Sequence, residues 1–325
     1  MYLSIIGSGK IVTEALPVIA ATPGITIRSI FARTHSLPRA RQMAATFAIP
    51  VATDDYTTIL ADPLTEVVYI ALINSVHFPY ALSALQAGKH VILEKPACLH
   101  SAELQQLADE AQARHLMLFE AVTLLHLPAF DYIQHELLPQ IGTIRHIECN
   151  YSQRSSRLDS YLNGEVLPAF DPEAGGGALM DINVYNIHFT LALLGTPEAV
   201  HYECRRGYNG IDLSGTVVLR YPDALAICTG SKDSDAPSFG LIQGDNGWIR
   251  IDGPVSTMAS ITLGLRGHHP QPISLPPVSH RLAPEFAHFI GLFRHRDHAA
   301  INRLLHHSIA VSQTLDIIRD STFRS

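Results

Sequence analysis

Charged residues are scarce. Asp, Glu, Lys and Arg make up 16% of the 325 residues, and the 30 acidic outnumber the 23 basic, for a formal net charge of −7. That balance argues against phosphate-backbone binding as a main activity, so no nucleic-acid partner is expected. The four cysteines, Cys98, Cys149, Cys204 and Cys228, form no C-x-x-C pair. Neither a zinc knuckle nor a redox dithiol is indicated, and free thiols in a reducing cytosol are the plain reading. No apolar run approaches a membrane span, and no membrane partner is expected. The opening Met1-Tyr2-Leu3-Ser4-Ile5-Ile6-Gly7 lacks the basic region and cleavage site of a signal peptide and reads as a short strand. The 18 histidines are scattered, and the doublets His268-His269 and His306-His307 point to different sides of an element, so no metal is expected.

Hydrophobic residues are plentiful, at 47%, enough for large cores in roughly two domains of about 150 residues. The first 122 residues alternate apolar runs (2–6, 25–32, 67–72, 91–93, 117–122) with helical patterns (10–21, 37–47, 77–86, 102–114), Ser101 serving as a cap for the last. Such alternation predicts a parallel sheet with helices on both faces. After Leu127-Pro128 and a helix over 129–136 the rhythm changes. Longer strands (144–153, 201–206, 216–221, 224–229, 239–243, 248–251) follow one another across short turns such as Pro222-Asp223. This predicts an open, mostly antiparallel sheet. One long helix, 178–194, interrupts it; 270–277 reads as a proline-rich surface crossing, and helices near 284–293 and 301–319 close the chain. The expected division is a dinucleotide-binding domain over 1–122 and a substrate-binding and oligomerisation α+β domain over 123–325, α/β overall.

Four stretches carry chemistry. Gly7-Ser8-Gly9-Lys10-Ile11-Val12 follows the first strand and opens the first helix, where a dinucleotide phosphate loop belongs. The first glycine allows a tight turn and the second lets backbone approach a pyrophosphate; Val12 departs from the third glycine. The second strand ends Phe31-Ala32-Arg33-Thr34, with no acidic residue to hold a ribose 2′-hydroxyl. Arg33 can face a 2′-phosphate and Thr34 add a hydroxyl, which favours NADP, with NAD the alternative; a solvated loop arginine is the competing reading. The run Gly88-Lys89-His90-Val91-Ile92-Leu93-Glu94-Lys95-Pro96 ends a buried strand in two charges, at the strand ends where α/β sheets bind ligands, unless the pair merely caps a helix. Gly175-Gly176-Gly177 leads a helix bearing Asp181, Tyr185 and His188, which α-helical spacing puts on one face. A buried hydrogen-bonded network and a catalytic set explain that stripe equally well.

These stretches, with Ile70-Ala71-Leu72-Ile73-Asn74 and His77, stand in the order and spacing of the glucose-fructose oxidoreductase / inositol dehydrogenase (Gfo/Idh/MocA) family, which the chain resembles over essentially its whole length. The resemblance implies an N-terminal Rossmann domain and a C-terminal domain whose large sheet forms a homodimer interface. It also implies hydride transfer between a nicotinamide cofactor and a carbinol of a sugar, cyclitol or dihydrodiol-like small molecule. By the resemblance Lys95 contacts substrate and nicotinamide ribose, Glu94 is its neighbour on the ribose, Asn74 and His77 also serve the cofactor, and the bond before Pro96 is cis. Ile73 replaces a usual proline, Asn183 a common glycine, Tyr185 a common histidine, and His188 a common aspartate.

The expected mechanism has Tyr185 handle the hydroxyl proton while Lys95 and Asp181 position it, with His188 on the substrate. An ordinary phenol titrates near about 10, the acid form that carbonyl reduction needs; a nearby lysine favours the phenolate that oxidation needs. Two other functions compete: glycoside hydrolysis through tightly held NAD, and a catalytically silent NADP sensor. Arg33 speaks against the first, and the Lys95–Tyr185 pair against the second. Arg154 and Arg157 read as solvated and are left out of the site.

Overall fold

The computed structural model describes residues 1–322. It divides into two compact units, Met1–Ala121 with Val278–Ile309, and Val122–Pro277 with the chain from Ala310 onward.

The first unit is a six-stranded parallel sheet in the order β3-β2-β1-β4-β5-β6. Its strands are β1 (Tyr2–Ile6), β2 (Thr26–Phe31), β3 (Val51–Thr53), β4 (Val67–Ile70), β5 (His90–Glu94) and β6 (Leu118–Ala121). Parallel strands are covered on both faces and so read as continuous apolar runs; all four residues of β4 are buried. The helix Lys10–Ala21 follows β1 and buries Val12, Ala15, Leu16 and Ile19, one stripe at helical spacing. The helix Ser101–Ala113 begins one residue earlier than its apolar pattern suggests, and His100 is its N-cap residue. Glu103 accepts from the His100 N–H at 3.3 Å, as in a capping box. Short β3 and the helix Tyr56–Ala61 carry too little periodicity to be legible in the sequence.

A single cut at residue 122 misses the return of the chain. Phe286, Phe289, Leu292 and Ile301 share one core with Leu3, Ile5, Tyr69, Ile92 and Phe119. Leu305 and Ile309 join Ile6, Val68, Leu93 and Leu107 in the other. Each buried phenylalanine is worth about 1.5–3 kcal/mol over an exposed one, which ties 278–309 to this sheet. The helix that carries the chain out of this unit, His298–Thr322, therefore contributes to both units. Residues 323–325 of the expected second domain lie outside the described residues.

The second unit is an eight-stranded sheet, β14-β13-β12-β11-β7-β10-β9-β8. The strands are β7 (Ile144–Ser152), β8 (Ala199–Arg206), β9 (Asp212–Arg220), β10 (Leu225–Ser231), β11 (Phe239–Gly244), β12 (Gly247–Asp252), β13 (Ser260–Leu265) and β14 (Gln271–Ile273). Neighbours are antiparallel except β7 and β10, which run parallel. The expected surface crossing contains β14, which pairs with β13 at the sheet edge; an edge strand tolerates Pro272 because one side needs no N–H donor. Cys149 and Cys228 are fully buried on one face of the sheet, while His146, Glu148 and Asn150 alternate onto the other and are half-buried. All four cysteines are free. The helix over 179–194 is buried against this sheet: Asn183 Nδ2 donates to the Cys228 carbonyl at 2.9 Å and Asn186 Nδ2 to the Thr229 carbonyl at 3.0 Å.

Candidate active site

The strand order of the first unit reverses beside β1, so the carboxyl ends of β1 and β4 diverge into a crevice, the usual ligand position in such sheets. Gly7 stands there at φ +136°, where a Cβ would run into the Ala71 carbonyl after β4; only glycine fits. Its N–H donates to the Phe31 carbonyl at 2.8 Å and so ties this turn to the end of β2. Gly9 is the N-cap of the helix, with no side-chain cap, and a Cβ there would meet nothing within 4 Å. The first-turn N–H groups of the helix thus have no side-chain cap at its positive end, which suits a phosphate. Val12 fills the third-glycine position and is fully buried. Arg33 and Thr34 are exposed just past β2, the strand next to β1. This donor set, uncapped backbone amides with an arginine one strand away, fits a nicotinamide dinucleotide.

Next to β4 lies β5 and its charged end. The Lys95–Pro96 bond is cis. Three side chains hold this loop from beneath. Tyr69 of β4, fully buried, donates to Glu94 Oε1 at 2.6 Å. His77, fully buried, lies with Nδ1 3.0 Å from the Pro96 carbonyl and Nε2 3.2 Å from the Leu72 carbonyl. Glu120 of β6 accepts from the Ala97 N–H at 2.8 Å. Glu94 is itself 8% exposed. Asn74 lies half-buried in the short helical turn after β4, and Lys95 is half-buried at the loop. His77 therefore packs between two loops from inside, and as a neutral ring it donates to one of the two carbonyls, not to both.

The electrostatics around the loop follow from burial. Desolvation raises the pKa of Glu94 above the usual carboxylate range, partly offset by the Tyr69 hydroxyl and the Lys95 charge. It pushes Glu120 up to about 7. Glu285, 1% exposed on the helix Ala283–His295, is raised well above its ordinary value by burial and then by the Glu94 charge. Its Oε1 has no hydrogen-bond partner among the described residues. Burial lowers the pKa of His77, favouring the neutral ring.

In the second unit the glycine run sets up the long helix. Gly177 has φ +100°, and a Cβ on it would strike Asp212. That close approach lets Asp212 Oδ2 accept from the Leu179 N–H at 2.6 Å and the Tyr202 hydroxyl at 2.8 Å. Burial raises the pKa of Asp212, and these two donors oppose it. The helix starts with a π-helical turn, Leu179–Asn183, before the α-helix Val184–Leu194. The wider turn interrupts the period on which a shared Asp–Tyr–His face rests. Exposure falls along the three: Asp181 is half-buried, while Tyr185 is 9% and His188 1% exposed. The Tyr185 ring lies 6.3 Å from that of Tyr151, centroid to centroid. Asp181 is paired at 2.8 Å with Lys232, which follows β10. Arg154 is bonded to Asp159 at 2.6 Å.

The sequence patterns do not single out Tyr69, Glu120, Glu285, Asp212 or Lys232. A tyrosine inside the apolar run of β4 and a lysine directly after β10 were the only signals available: polar groups in apolar runs need partners.

Two family models match the chain: an oxidoreductase family with an NAD-binding Rossmann fold over residues 2–122, and the GFO/IDH/MocA C-terminal domain over 139–250. The chain is 32% identical over 291 residues to scyllo-inositol 2-dehydrogenase (NADP(+)) IolU of Bacillus subtilis, covering 90% of this chain and 88% of that one. It is 29% identical to trans-1,2-dihydrobenzene-1,2-diol dehydrogenase of Mus musculus, covering 83% and 80%. Among solved structures, KijD10, a 3-ketoreductase from Actinomadura kijaniata in complex with NADP and TDP-benzene, superposes with a TM-score of 0.86 at 22% identity, covering 99% and 97%; that likeness is one of fold.

Proposed function

Because the chain belongs to the Gfo/Idh/MocA oxidoreductase family, we propose that it transfers a hydride between NADP and a hydroxyl-bearing carbon of a cyclitol, sugar or dihydrodiol-like molecule. That it is an oxidoreductase acting on CH–OH groups follows from the family and its named dehydrogenase relatives. The observation that carries the finer reading is the Glu94-Lys95-Pro96 loop at the end of β5, clamped by Tyr69, His77 and Glu120. A buried tyrosine, histidine and glutamate holding one charged loop is an expensive arrangement for a surface turn.

Bound, a nicotinamide dinucleotide supplies or accepts the hydride. The chain's own residues do the rest. The amides after Ser8, Gly9, Lys10 and Ile11 bind the pyrophosphate. Arg33 and Thr34 hold the 2′-phosphate, which supports NADP over NAD. Asn74 lines the cofactor, and His77 supports it from beneath. Glu94 and Lys95 hold the ribose, and Lys95 also orients the substrate hydroxyl. Tyr185 gives or takes the hydroxyl proton, Asp181 accepts a neighbouring hydroxyl, and His188 backs that helix from the interior. No helix of the described residues is long and apolar enough to cross a membrane. The half-buried face of the second sheet supports a homodimer, and the free cysteines support a cytoplasmic location.

The test follows reduced-cofactor absorbance with the full chain, NADP or NAD, and a panel of inositols, aldoses and trans-dihydrodiols. Stoichiometric cofactor reduction with NADP preferred is expected. Turnover of a substrate without net consumption of cofactor would favour hydrolysis instead, and no turnover with any compound would end the proposal.

A further inference from the structure

Lys232 is a buried cation of the second unit that the reading above does not use. It is 2% exposed. Its Nζ donates to the Ala169 carbonyl at 2.6 Å, pairs with Asp181 Oδ2 at 2.8 Å and lies 4.7 Å from the centroid of the Phe170 ring. Phe170, fully buried, stacks on Tyr161 at 4.9 Å and 20°, and Tyr161 on Tyr208 at 4.4 Å and 9°. The lysine backbone is anchored too: its N–H donates to the Leu213 carbonyl at 2.8 Å, and its carbonyl accepts from the Ser155 N–H at 2.8 Å. The ammonium is thus held at a fixed point by a carbonyl, a ring face and one carboxylate.

The pair is lopsided. The Lys232 side chain is 3% exposed and that of Asp181 40%. Burying an ammonium is unfavourable unless its partners are well placed, and an apolar side chain would fill the same space more favourably. A pair made for stability alone would gain by closing over both ends. Here the cation lies inside and the anion remains reachable, four residues before Tyr185 on the same helix.

We propose that Lys232 is a positioning residue: by gripping one oxygen of Asp181 it fixes that carboxylate as the acceptor for a substrate hydroxyl beside the carbon that reacts. This rests on the oxidoreductase reading above. Lys232 touches neither substrate nor cofactor and acts only through Asp181. Without the cation the carboxylate loses its charged partner and the position that partner imposes, so substrate binding weakens while cofactor binding does not. A charged hydrogen bond lost in this way corresponds to roughly a tenfold to hundredfold rise in KM.

The experiment is a double-mutant cycle in the full chain, using NADP and the panel compound that the unmodified protein turns over best. K232M is expected to raise KM about tenfold or more, with kcat changed far less and the NADP dissociation constant, read by fluorescence, unchanged. K232Q keeps a donor for the Ala169 carbonyl while losing the charge; it guards against misfolding and should behave like K232M. K232R should stay within about threefold of the unmodified protein. In a D181N background the K232M change should have no further effect on kcat/KM, because the lysine has lost what it acts through. An undiminished effect of K232M in that background would overturn the inference, as would an unchanged KM in both neutral variants. Either result leaves the oxidoreductase reading standing; absence of turnover by the unmodified protein removes both.

Discussion

Around Lys95 in the first unit, burial is the dominant influence on the neighbouring carboxyls: Glu94, Glu120 and Glu285 are all raised by desolvation. Around Tyr185 in the second unit, the carboxyl nearest on the helix, Asp181, is instead locked to a buried lysine at 2.8 Å. Both arrangements solve the same difficulty, since an isolated charge in a dry site is prohibitively unfavourable. In one, burial disfavours the charged form of the carboxyls; in the other, the charge is paired with a buried ammonium. The first makes a polar floor in which Glu120, pushed up to about 7, titrates near neutrality. The second makes an acceptor whose position is set by geometry.

The comparison implies that the units can be damaged separately, and the largest expected effect lies in the second. Tyr185→Phe should lower turnover by about 10²–10⁴ while leaving NADP affinity unchanged in a fluorescence titration. Unchanged turnover would remove Tyr185 from proton transfer. The mirror image is Arg33→Ala in the first unit. Loss of a guanidinium–phosphate contact should weaken NADP by about tenfold to a hundredfold and leave NAD and the substrate KM nearly untouched. Equal loss for both cofactors would show that Arg33 does not read the 2′-phosphate.

Glu120→Gln tests the proton-holding floor directly. In the folded protein Glu120 titrates at about 7 against an ordinary 4.5. A raised value means that the native state holds the proton more tightly than the unfolded chain. Its stabilising contribution is present below about pH 4.5 and is lost as pH rises through about 7. Glutamine can still accept from the Ala97 N–H and cannot ionise. The variant should therefore gain on the unmodified protein between pH 5 and 8, by on the order of 2 kcal/mol in denaturant unfolding. A pH-independent difference would mean that the carboxyl is not kept protonated.

The smallest effect is expected at Glu285, whose Oε1 is unbonded among the described residues. Glu285→Met should stabilise by about 1–2 kcal/mol near neutral pH, and by less in acid, where the buried carboxyl is neutral in both states. Destabilisation at every pH would show that the carboxyl makes a needed bond.

Much of the fold was legible in the chain. The first unit declares itself because parallel strands buried on both faces leave unbroken apolar runs, as in β4 and β5. The glycine turn and the Glu94-Lys95-Pro96 end are equally plain, since a charge closing a buried strand stands out against its background. The short β3 and the edge strand β14 were hidden, because three residues carry no period. The π-turn over Leu179–Asn183 was hidden as well. The start of that turn is bonded to Asp212, a residue more than thirty positions away, and local spacing cannot report such a contact.

Sequence alone thus determined the architecture and the glycine turn after β1, and marked Lys95, Asp181 and Tyr185 as the candidates on which the proposal rests, because each stands out against its neighbouring residues. Only the tertiary structure decided that His77 clamps a loop from inside, that residues 278–309 complete the first core, and that Lys232 holds Asp181. Those facts depend on groups far apart in the chain meeting where water is excluded, and the energy of such a meeting belongs to the pair rather than to either residue.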